Sequence, residues 1–263
     1  DRGKLGDGTT TSSSTPVEVS NITTATSISL GSSHSCALLT DGKVKCWGFN
    51  HNGRLGDGTT TDSTTPVEVS GITTATSIAL GDLHSCALLS DGKVKCWGAN
   101  WDGQLGDGTT TGRTIPVEVS GITTATSIAQ GASTSCALLT DGKVKCWGLG
   151  GNGELGYGGT SSSTPVEVSG ITTATSIARS ELHSCALLMD GTMQCWGWNY
   201  YSQLGDGTTT SRYTPVAVSG LVPSPTPPSS LEIDCGLWTA CMVGGSDTLC
   251  PAPHQGRHQR PST

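Results

Sequence analysis

A short motif returns along this chain at nearly constant intervals, and that spacing restricts the fold more than any other feature. The motif begins at His34 as HSCALLTDGKVKCWG, and further copies begin at His84, Thr134 and His183, at intervals of 50, 50 and 49 residues. A degenerate copy, TACMVGGSDTLCPAP, begins at Thr239. A fixed period of this size indicates a repeat protein, in which each unit is one supersecondary structure that packs on its neighbours.

Each copy of the motif predicts a β-hairpin. The apolar runs CALL and KVKCW flank Thr-Asp-Gly, and the glycine suits the left-handed position of a three-residue loop. With Thr40, Asp41 and Gly42 in the loop, Cys36 lies opposite Cys46. Opposed residues of this kind lie about 4.5 Å apart at Cα, which is within disulfide reach.

The same register predicts one disulfide in every hairpin. The pairs are Cys36–Cys46, Cys86–Cys96, Cys136–Cys146, Cys185–Cys195 and, across a slightly altered loop, Cys241–Cys250. Cys235 has no partner by this count. The alternatives are reduced, buried cysteines, or metal binding, which is disfavoured because the gap within the hairpin matches no usual zinc spacing. Paired cysteines favour an oxidising compartment, so we expect a secreted, periplasmic or cell-surface protein.

Two further strands complete each unit. The segment PVEVS, first seen at Pro16, alternates valine with polar residues and predicts a half-buried strand with proline at its first position. The segment ITTATSISLG from Ile22 alternates in the same way. Thirty-seven glycines and a single phenylalanine also favour short strands and tight turns over helices. We therefore predict an all-β fold, a β-propeller of about five four-stranded repeats of about 50 residues each.

The repeats divide the chain into consecutive segments. Residues 1–220 hold the propeller repeats, with units at 1–50, 51–100, 101–150 and 151–199 and a fifth from residue 200. Prolines make 221–230 an extended spacer. Residues 231–253 are expected to form a degenerate fifth hairpin that closes the ring, and 254–263 a disordered tail.

Charge and motif content exclude several classes of function. A net charge of −7 argues against phosphate backbones and anionic membranes as main partners. No apolar run approaches membrane-spanning length. We find no nucleophile elbow, no phosphate loop and no isolated carboxylate pair. The expectation is a non-enzyme without cofactors, with no nucleic-acid partner and no membrane insertion.

Differences between the units gather in the loops that follow each Trp-Gly pair, at 49–54, 99–104, 149–154 and 198–203. Equivalent loops of successive blades open on one face, and most aromatic residues outside the Trp-Gly pairs lie in or beside them. Tryptophan and tyrosine carry much of the binding energy at protein interfaces. The predicted binding residues are Phe49, His51, Arg54, Trp101, Asp102, Asn152, Trp198, Tyr200, Tyr201 and Tyr213. Neutral variation at tolerant loop tips is the alternative.

The histidines of the motif offer a weaker hypothesis. His34, His84 and His183 share one repeat position and could converge as metal ligands, but Thr134 and Thr239 interrupt the set. A structural imidazole that bonds within its own blade is favoured.

Repeated aspartates offer another. In LGDGT the aspartates could bind calcium, although Asp-Gly-Thr is also ordinary turn chemistry and Tyr157 replaces one of them. These aspartates are Asp7, Asp57, Asp107 and Asp206. No metal site is predicted. The repeated tryptophans are expected to pack between blades, and these are Trp47, Trp97, Trp147 and Trp196.

The stretch GDLHSCALLSDGKVKCWGANWDGQLGDG, from Gly81 to Gly108, resembles the repeats of the regulator of chromosome condensation family. Those repeats carry Gly-x-x-His-(Ser/Thr)-x-Ala-Leu, an Asp-Gly turn, a Trp-Gly pair and Asn-x-x-Gly-Gln-Leu-Gly. The likeness extends from residue 1 to about residue 220. It implies a β-propeller, commonly with more blades than the units present here. The ring is therefore smaller, the chain is a fragment, or copies assemble to complete it.

Functions within that family differ, and the fold does not transfer them. Members include a chromatin-bound exchange factor for a small GTPase, a plant ultraviolet-B photoreceptor and secreted bacterial inhibitors of β-lactamases. The acidic, cysteine-paired chain gives no reason to expect the first, and the segments GSSHS, GDLHS, GASTS and SELHS lack the clustered Trp and Arg of the second. The secreted bacterial class is the closest analogy. We predict a non-catalytic protein-binding module.

Two alternatives remain open for that binding face. In a carbohydrate-binding propeller, the aromatic faces would stack on sugar rings beside Asn52, Asn100, Asp102 and Asn199. In a structural role, open-ended units would stack copies of the chain into a homo-oligomer.

Overall fold

The computed structural model describes residues 2–221 and, as backbone strands, three segments between residues 232 and 249. Every regular element within these ranges is a β-strand. The same residues therefore offer no helix that could cross a bilayer.

The strands form five antiparallel sheets, and we call each four-stranded sheet a blade. The first blade contains β1 (Ala25–Leu30), β2 (His34–Leu39), β3 (Val44–Gly48) and β4 (Ser63–Glu68). The second contains β5 (Ala75–Leu80), β6 (His84–Leu89), β7 (Val94–Gly98) and β8 (Arg113–Glu118). The third contains β9 (Ala125–Gln130), β10 (Thr134–Leu139), β11 (Val144–Gly148) and β12 (Ser162–Glu167). The fourth contains β13 (Ala174–Arg179), β14 (His183–Leu188), β15 (Met193–Gly197) and β16 (Arg212–Ala217).

A fifth sheet has three strands, β17 (Glu232–Cys235), β18 (Ala240–Gly244) and β19 (Asp247–Leu249). Its first strand lies against β13 and β14 of the fourth blade. The predicted Cys241–Cys250 disulfide and the state of Cys235 lie outside the described side chains. Most of the predicted spacer and the whole predicted tail also lie outside the described residues. Ring closure by residues 231–253 stays a prediction.

Each blade takes its fourth strand from the following sequence unit. The PVEV segment at Pro66 lies in β4 and pairs with β3, where Val67 is opposite Cys46. The proline is therefore inside the strand and not at its first position as predicted. It is tolerated because β4 is an outer edge strand, where a missing N–H disrupts no further ladder. The first copy of the segment, at 16–19, is not in a strand.

The hairpins have the predicted register. Cys36 is opposite Cys46 and Leu38 is opposite Val44, and the other three blades repeat this pairing. The four disulfides predicted within these blades are confirmed, with Cα atoms 4.1 Å apart in each.

The hydrophobic core lies between neighbouring blades, and we call each such contact a junction. At the first junction, Leu38 and Val44 of the first blade pack with Ile78 and Trp97 of the second. The disulfide of the first blade is buried in the same cluster. Two more junctions repeat this composition along the chain. The prediction that the motif tryptophans pack between blades is confirmed.

Removing one disulfide tests how much each hairpin depends on it. The double variant Cys86→Ala with Cys96→Ala is expected to lower the free energy of unfolding by about 3 kcal/mol, because it frees a short loop in the unfolded chain. Chemical denaturation without reductant measures this difference. A loss below about 1 kcal/mol would contradict the proposed role of the bond.

Candidate binding face

The four variable loops leave their blades at equivalent ends. The backbone N–H of Phe49 donates to the carbonyl of Ser33 at 2.9 Å, which places the loop after β3 beside the turn between β1 and β2. The other blades repeat this bond, with the pairs Ala99–Leu83, Leu149–Ser133 and Trp198–Leu182. We call the surface formed by residues 49–54, 99–104, 149–154 and 198–203 the loop face.

Each loop is anchored on the next blade. The carbonyl of Arg54 accepts hydrogen bonds from Trp97 Nε1 at 2.8 Å and from Ser85 Oγ at 3.0 Å. Gly56 has a φ of +71°, and a Cβ there would lie 2.7 Å from Trp97 Nε1. Only glycine fits both requirements. The variable residues therefore stand on a loop that is fixed at a junction.

A buried asparagine fixes the interior of the loop. Asn100 Nδ2 donates to Asp107 Oδ1 at 3.3 Å and to the carbonyls of Thr109 and Thr111, both at 3.1 Å. Asn100 Oδ1 accepts the backbone N–H of Leu105 at 2.9 Å. One side chain thus satisfies polar groups from both arms of the loop, which leaves it no free valence for a ligand.

Asn50 and Asn199 form the same set of bonds in the first and fourth loops. All three asparagine side chains are fully buried. The expectation that Asn100 and Asn199 would hydrogen-bond a sugar is therefore wrong, because their amides hold the loops together.

The third loop departs from this plan at both ends of the bond. Gly150 stands in place of the asparagine and Tyr157 in place of the aspartate, so the donor and its acceptor change together. The backbone N–H of Gly150 is instead bonded by Ser161 Oγ at 3.1 Å.

The repeated aspartates act as loop acceptors. Burial of Asp107 opposes its ionisation, but hydrogen bonds from Thr109 and Arg113 outweigh that effect and lower its pKa below the usual value. Asp206 has the same arrangement with Thr208 and Arg212 and a lowered pKa. The described residues contain no cluster of metal-binding side chains.

The loop tips present aromatic side chains to solvent. One tip position is exposed in all four loops and holds His51, Trp101, Gly151 and Tyr200. Trp101 is 62% exposed and Tyr200 is 66% exposed. Two more of the predicted residues, Tyr201 and Tyr213, are also exposed.

Three rings of the fourth loop form what we call the aromatic patch. The rings of Trp198 and Tyr200 are nearly parallel, with centroids 6.3 Å apart. Tyr201 stands perpendicular to both, at 5.3 and 5.0 Å. Tyr213 lies nearby in sequence order but its hydroxyl donates to the carbonyl of Gly151 at 2.7 Å, which ties β16 to the third loop.

The first loop uses its aromatic ring differently. Phe49 is half-buried, with Arg2 Cζ 3.9 Å and Arg54 Cζ 4.7 Å from its ring centroid, and His51 stacks beside it. Arg54 is only 1% exposed, and its Nη1 donates to the carbonyl of Asp82 at 3.2 Å. Arg54 therefore supports the loop face from below and does not present its charge to a partner, contrary to expectation.

Asp102 and Asn152 are half-buried at the tips of their loops. The backbone N–H of Asp102 donates to Gln104 Oε1 at 3.0 Å. In the third loop, Asn152 donates through both its backbone N–H and its Nδ2 to the Glu154 carboxylate, at 2.8 Å each. A buried side chain thus braces each tip from within the loop.

The motif histidines connect neighbouring blades. His84 Nε2 lies 3.0 Å from Ser135 Oγ and 3.1 Å from Gln130 Oε1, both in the next blade. His34 Nε2 is likewise 2.8 Å from Ser85 Oγ. The expectation of bonds within one blade was wrong for these two and holds for His183, whose Nδ1 lies 2.6 Å from Ser180 Oγ.

Sequence reasoning missed Arg179. At the junction where Thr134 replaces the histidine, Arg179 Nη1 donates to Ser184 Oγ at 2.9 Å and to the carbonyl of Glu154 at 3.2 Å. The guanidinium thus bonds the serine that a histidine bonds elsewhere. Two substitutions at one junction were the available signal, since the other units have Leu or Gln in place of this arginine.

An axial depression of about 240 Å³ opens among the turns that join the first two strands of each blade. Its lining includes Ser32, Asp82, Gln130, Arg179 and Glu181. These turns lie at the same end of the blades as the variable loops, so the loop face has a polar, charged centre.

Comparison with protein families matches residues 1–242 to the RCC1-like domain. The chain belongs to this family. No curated protein matches its sequence. The RCC1-like match confirms the resemblance carried by the repeated motif.

Solved structures of RCC1-like proteins share the fold. Human WBSCR16 is 21% identical, with a TM-score of 0.78, covering 94% of this chain and 66% of that one. Yeast RCC1 (Prp20), crystallised with Kap60, is 23% identical with a TM-score of 0.70, covering 85% and 55%. Prp20p from Saccharomyces cerevisiae gives 23%, 0.70, 89% and 59%. The likeness confirms the predicted β-propeller, and the chain spans two thirds or less of these proteins.

The buried histidines predict how the stability of this RCC1-like chain depends on pH. Burial disfavours the charged imidazolium and lowers the pKa of His34 to about 3 and of His84 and His183 to about 4. The unfolded chain takes up these protons near pH 6.5. The free energy of unfolding should therefore be complete above about pH 6.5 and fall as the pH drops towards 4, by on the order of 3 kcal/mol for His84.

The variant His84→Thr isolates this effect, because Thr134 already fills the same position. It should be less stable at pH 7, since two hydrogen bonds are lost, but its stability should fall less steeply between pH 6.5 and 4. The difference in slope is at most about 1.4 kcal/mol per pH unit. Denaturation at several pH values measures it, and parallel curves for the two proteins would rule out this origin.

The loop asparagine makes a separate prediction. Asn100→Ala should lower the free energy of unfolding by about 2 to 3 kcal/mol, because it leaves several buried polar groups without partners. The amide of Leu105 should also lose protection from hydrogen exchange. Asn52→Ala, at a half-buried loop tip, is the matched control and should change stability by less than about 0.5 kcal/mol. Equal effects of the two substitutions would contradict the role of Asn100.

Proposed function

We propose that this RCC1-like propeller is a non-catalytic module that binds a protein through its loop face. Trp101 and the aromatic patch form the centre of the contact. The carrying observation is that large aromatic side chains occupy the solvent-exposed tips of loops whose bases are buried and fixed.

The physical case rests on the low cost of ordering such a surface. Binding energy at protein interfaces concentrates in a few tryptophan and tyrosine side chains. These side chains lose little conformational entropy on binding, and a fixed backbone loses less still. Here the junction and the buried asparagine already hold the loops that carry Trp101 and Tyr200. Exposed rings on such a support favour a contact surface over neutral drift.

The third loop shapes the surface between the aromatic residues. In chain order it lies between the loop of Trp101 and the loop of Tyr200, and glycines occupy positions 150 and 151. Its tip therefore carries no side chain where its neighbours carry large rings. A low tip between two aromatic ones suits a protruding segment of a partner protein.

The relatives support a protein as the ligand class. The structures of Prp20 concern its complex with Kap60 and its binding to Gsp1p and histones. Those are properties of Prp20. They show that this fold serves to bind proteins, which favours the same class of ligand here.

Disulfides support a compartment for the encounter. Four hairpins each close a buried cystine, and such bonds persist in oxidising surroundings. We propose that the protein acts outside the cytosol, as a secreted, periplasmic or cell-surface protein of the bacterial type.

A carbohydrate ligand is the weaker candidate. The aromatic patch offers ring faces on which a sugar could stack, and this observation keeps the hypothesis open. Sugar recognition also needs free polar groups beside the rings. The amides of Asn100 and Asn199 are buried and occupied, so the nearest predicted donors do not serve that role.

The test compares partner capture by the unmodified protein and by the triple variant Trp101→Ala, Tyr200→Ala, Tyr201→Ala. Chemical cross-linking in culture fluid of the source, read by quantitative mass spectrometry, should identify proteins that the triple variant no longer captures. Binding measured with the purified partner should weaken about thirtyfold or more. All three side chains are exposed, so the variant should fold normally.

Met189→Ala is the matched control, because Met189 is 64% exposed and lies beside the opposite, Asp-Gly turn of its hairpin. It should bind like the unmodified protein. Capture of the same proteins by the triple variant would overturn the proposal. Binding to a glycan array that is lost in the triple variant would favour the carbohydrate hypothesis instead.

A further inference from the structure

The first blade has an apolar surface whose equivalents in the other blades are all covered. In the second blade, Ile78 and Leu80 of the inner strand are 7% and 8% exposed, because the disulfide side of the first blade packs on them. In the first blade, the equivalent Ile28 and Leu30 are each 67% exposed. We call this surface of β1, with the neighbouring Val17, the open face.

The chain itself shows what fits such a surface. At three successive junctions it is covered by the same set, a buried disulfide with the leucine and valine beside it. For the first junction these are Cys36, Cys46, Leu38 and Val44. The complement of the open face is therefore the disulfide side of another blade of this kind.

An unpaired segment lies at the same end of the molecule. Residues 16–19 repeat the PVEV sequence that forms the outer strand of every described blade. In those blades the valine at this position is opposite the second cysteine of the hairpin, as Val67 is opposite Cys46. Residues 16–19 have no such hairpin beside them and are not in a strand. The segment and the open face thus lack one and the same neighbour.

The other end of the chain has the opposite deficit. The fifth sheet consists of β17, β18 and β19 in that order, without the fourth strand that completes each blade. Its third strand, Asp247–Leu249, is therefore an edge of the sheet as described. Such an edge accepts a further strand through its free backbone N–H and C=O groups.

We infer that the open face and residues 16–19 of one molecule dock the fifth sheet of a second copy, head to tail. The fifth sheet of the same chain lies against β13 and β14 and leaves Ile28 and Leu30 exposed, so the structure favours a second copy as the occupant. Residues 16–19 add to β19 as its missing outer strand. A head-to-tail contact of this type closes into a ring or extends into a filament.

Sedimentation velocity over a range of protein concentrations tests the inference. The unmodified protein should sediment as species larger than the 26.8 kDa monomer and dissociate on dilution. The variant Ile28→Lys with Leu30→Lys should raise the dissociation constant about tenfold or more, because two buried apolar side chains become charged. Both positions are exposed in the single chain, so its unfolding transition should be unchanged.

Met189→Lys, which changes an equally exposed side chain away from the open face, should associate like the unmodified protein. A single 26.8 kDa species at every concentration would overturn the inference. Unchanged association of the double variant would overturn it as well.

A cysteine pair separates a second copy from closure within one chain. By the blade register, Glu18 should lie opposite Leu249, as Glu68 lies opposite Lys45. In the variant Glu18→Cys with Leu249→Cys, oxidation should give covalent dimers and larger species on a non-reducing gel. A cross-link confined to the monomer would show that the chain closes on itself and would overturn the second-copy assignment.

Discussion

Everything in this molecule depends on the junction between blades, where a loop carbonyl from one blade accepts hydrogen bonds from the next. At the first junction the Trp97 indole and the Ser85 hydroxyl both donate to the carbonyl of Arg54. The contact is buried with a disulfide and aliphatic side chains, where a hydrogen bond is strong and an unmade one is costly. The junction thus holds the blades together and fixes the variable loops in one step.

That dual role explains the division between constant and variable residues. The Trp-Gly pair, the serine of each hairpin and the glycines of each loop serve the junction, so every unit needs them. The loop tips serve no junction, and there the units carry residues as different as Trp101 and Gly151. Where the junction itself changes, it does so as a set, since Arg179 bonds Ser184 at the junction that lacks a histidine. The scaffold thereby tolerates a diversified surface without loss of order.

Local features were readable from the sequence, and non-local ones were not. The register that pairs Cys36 with Cys46 follows from a short turn, so the hairpin and its disulfide were predictable. The pairing of Val67 with Cys46 joins two sequence units, and nothing in the period says which hairpin an outer strand joins. The burial of Arg54 and the bonding of His84 to the next blade depend on how blades pack, which periodicity does not encode. Exposure of Trp101 was predictable because its loop position varies freely between units.

The most direct test of the junction is hydrogen exchange of the indole N–H protons, followed by NMR on the folded protein. Trp97, Trp147 and Trp196 should exchange only on global unfolding, because their indoles are buried and bonded to loop carbonyls. Trp101, at an exposed tip, is the internal reference and should exchange within the dead time. Rapid exchange of the three junction indoles, at a rate close to that of Trp101, would contradict the central role given to the junction.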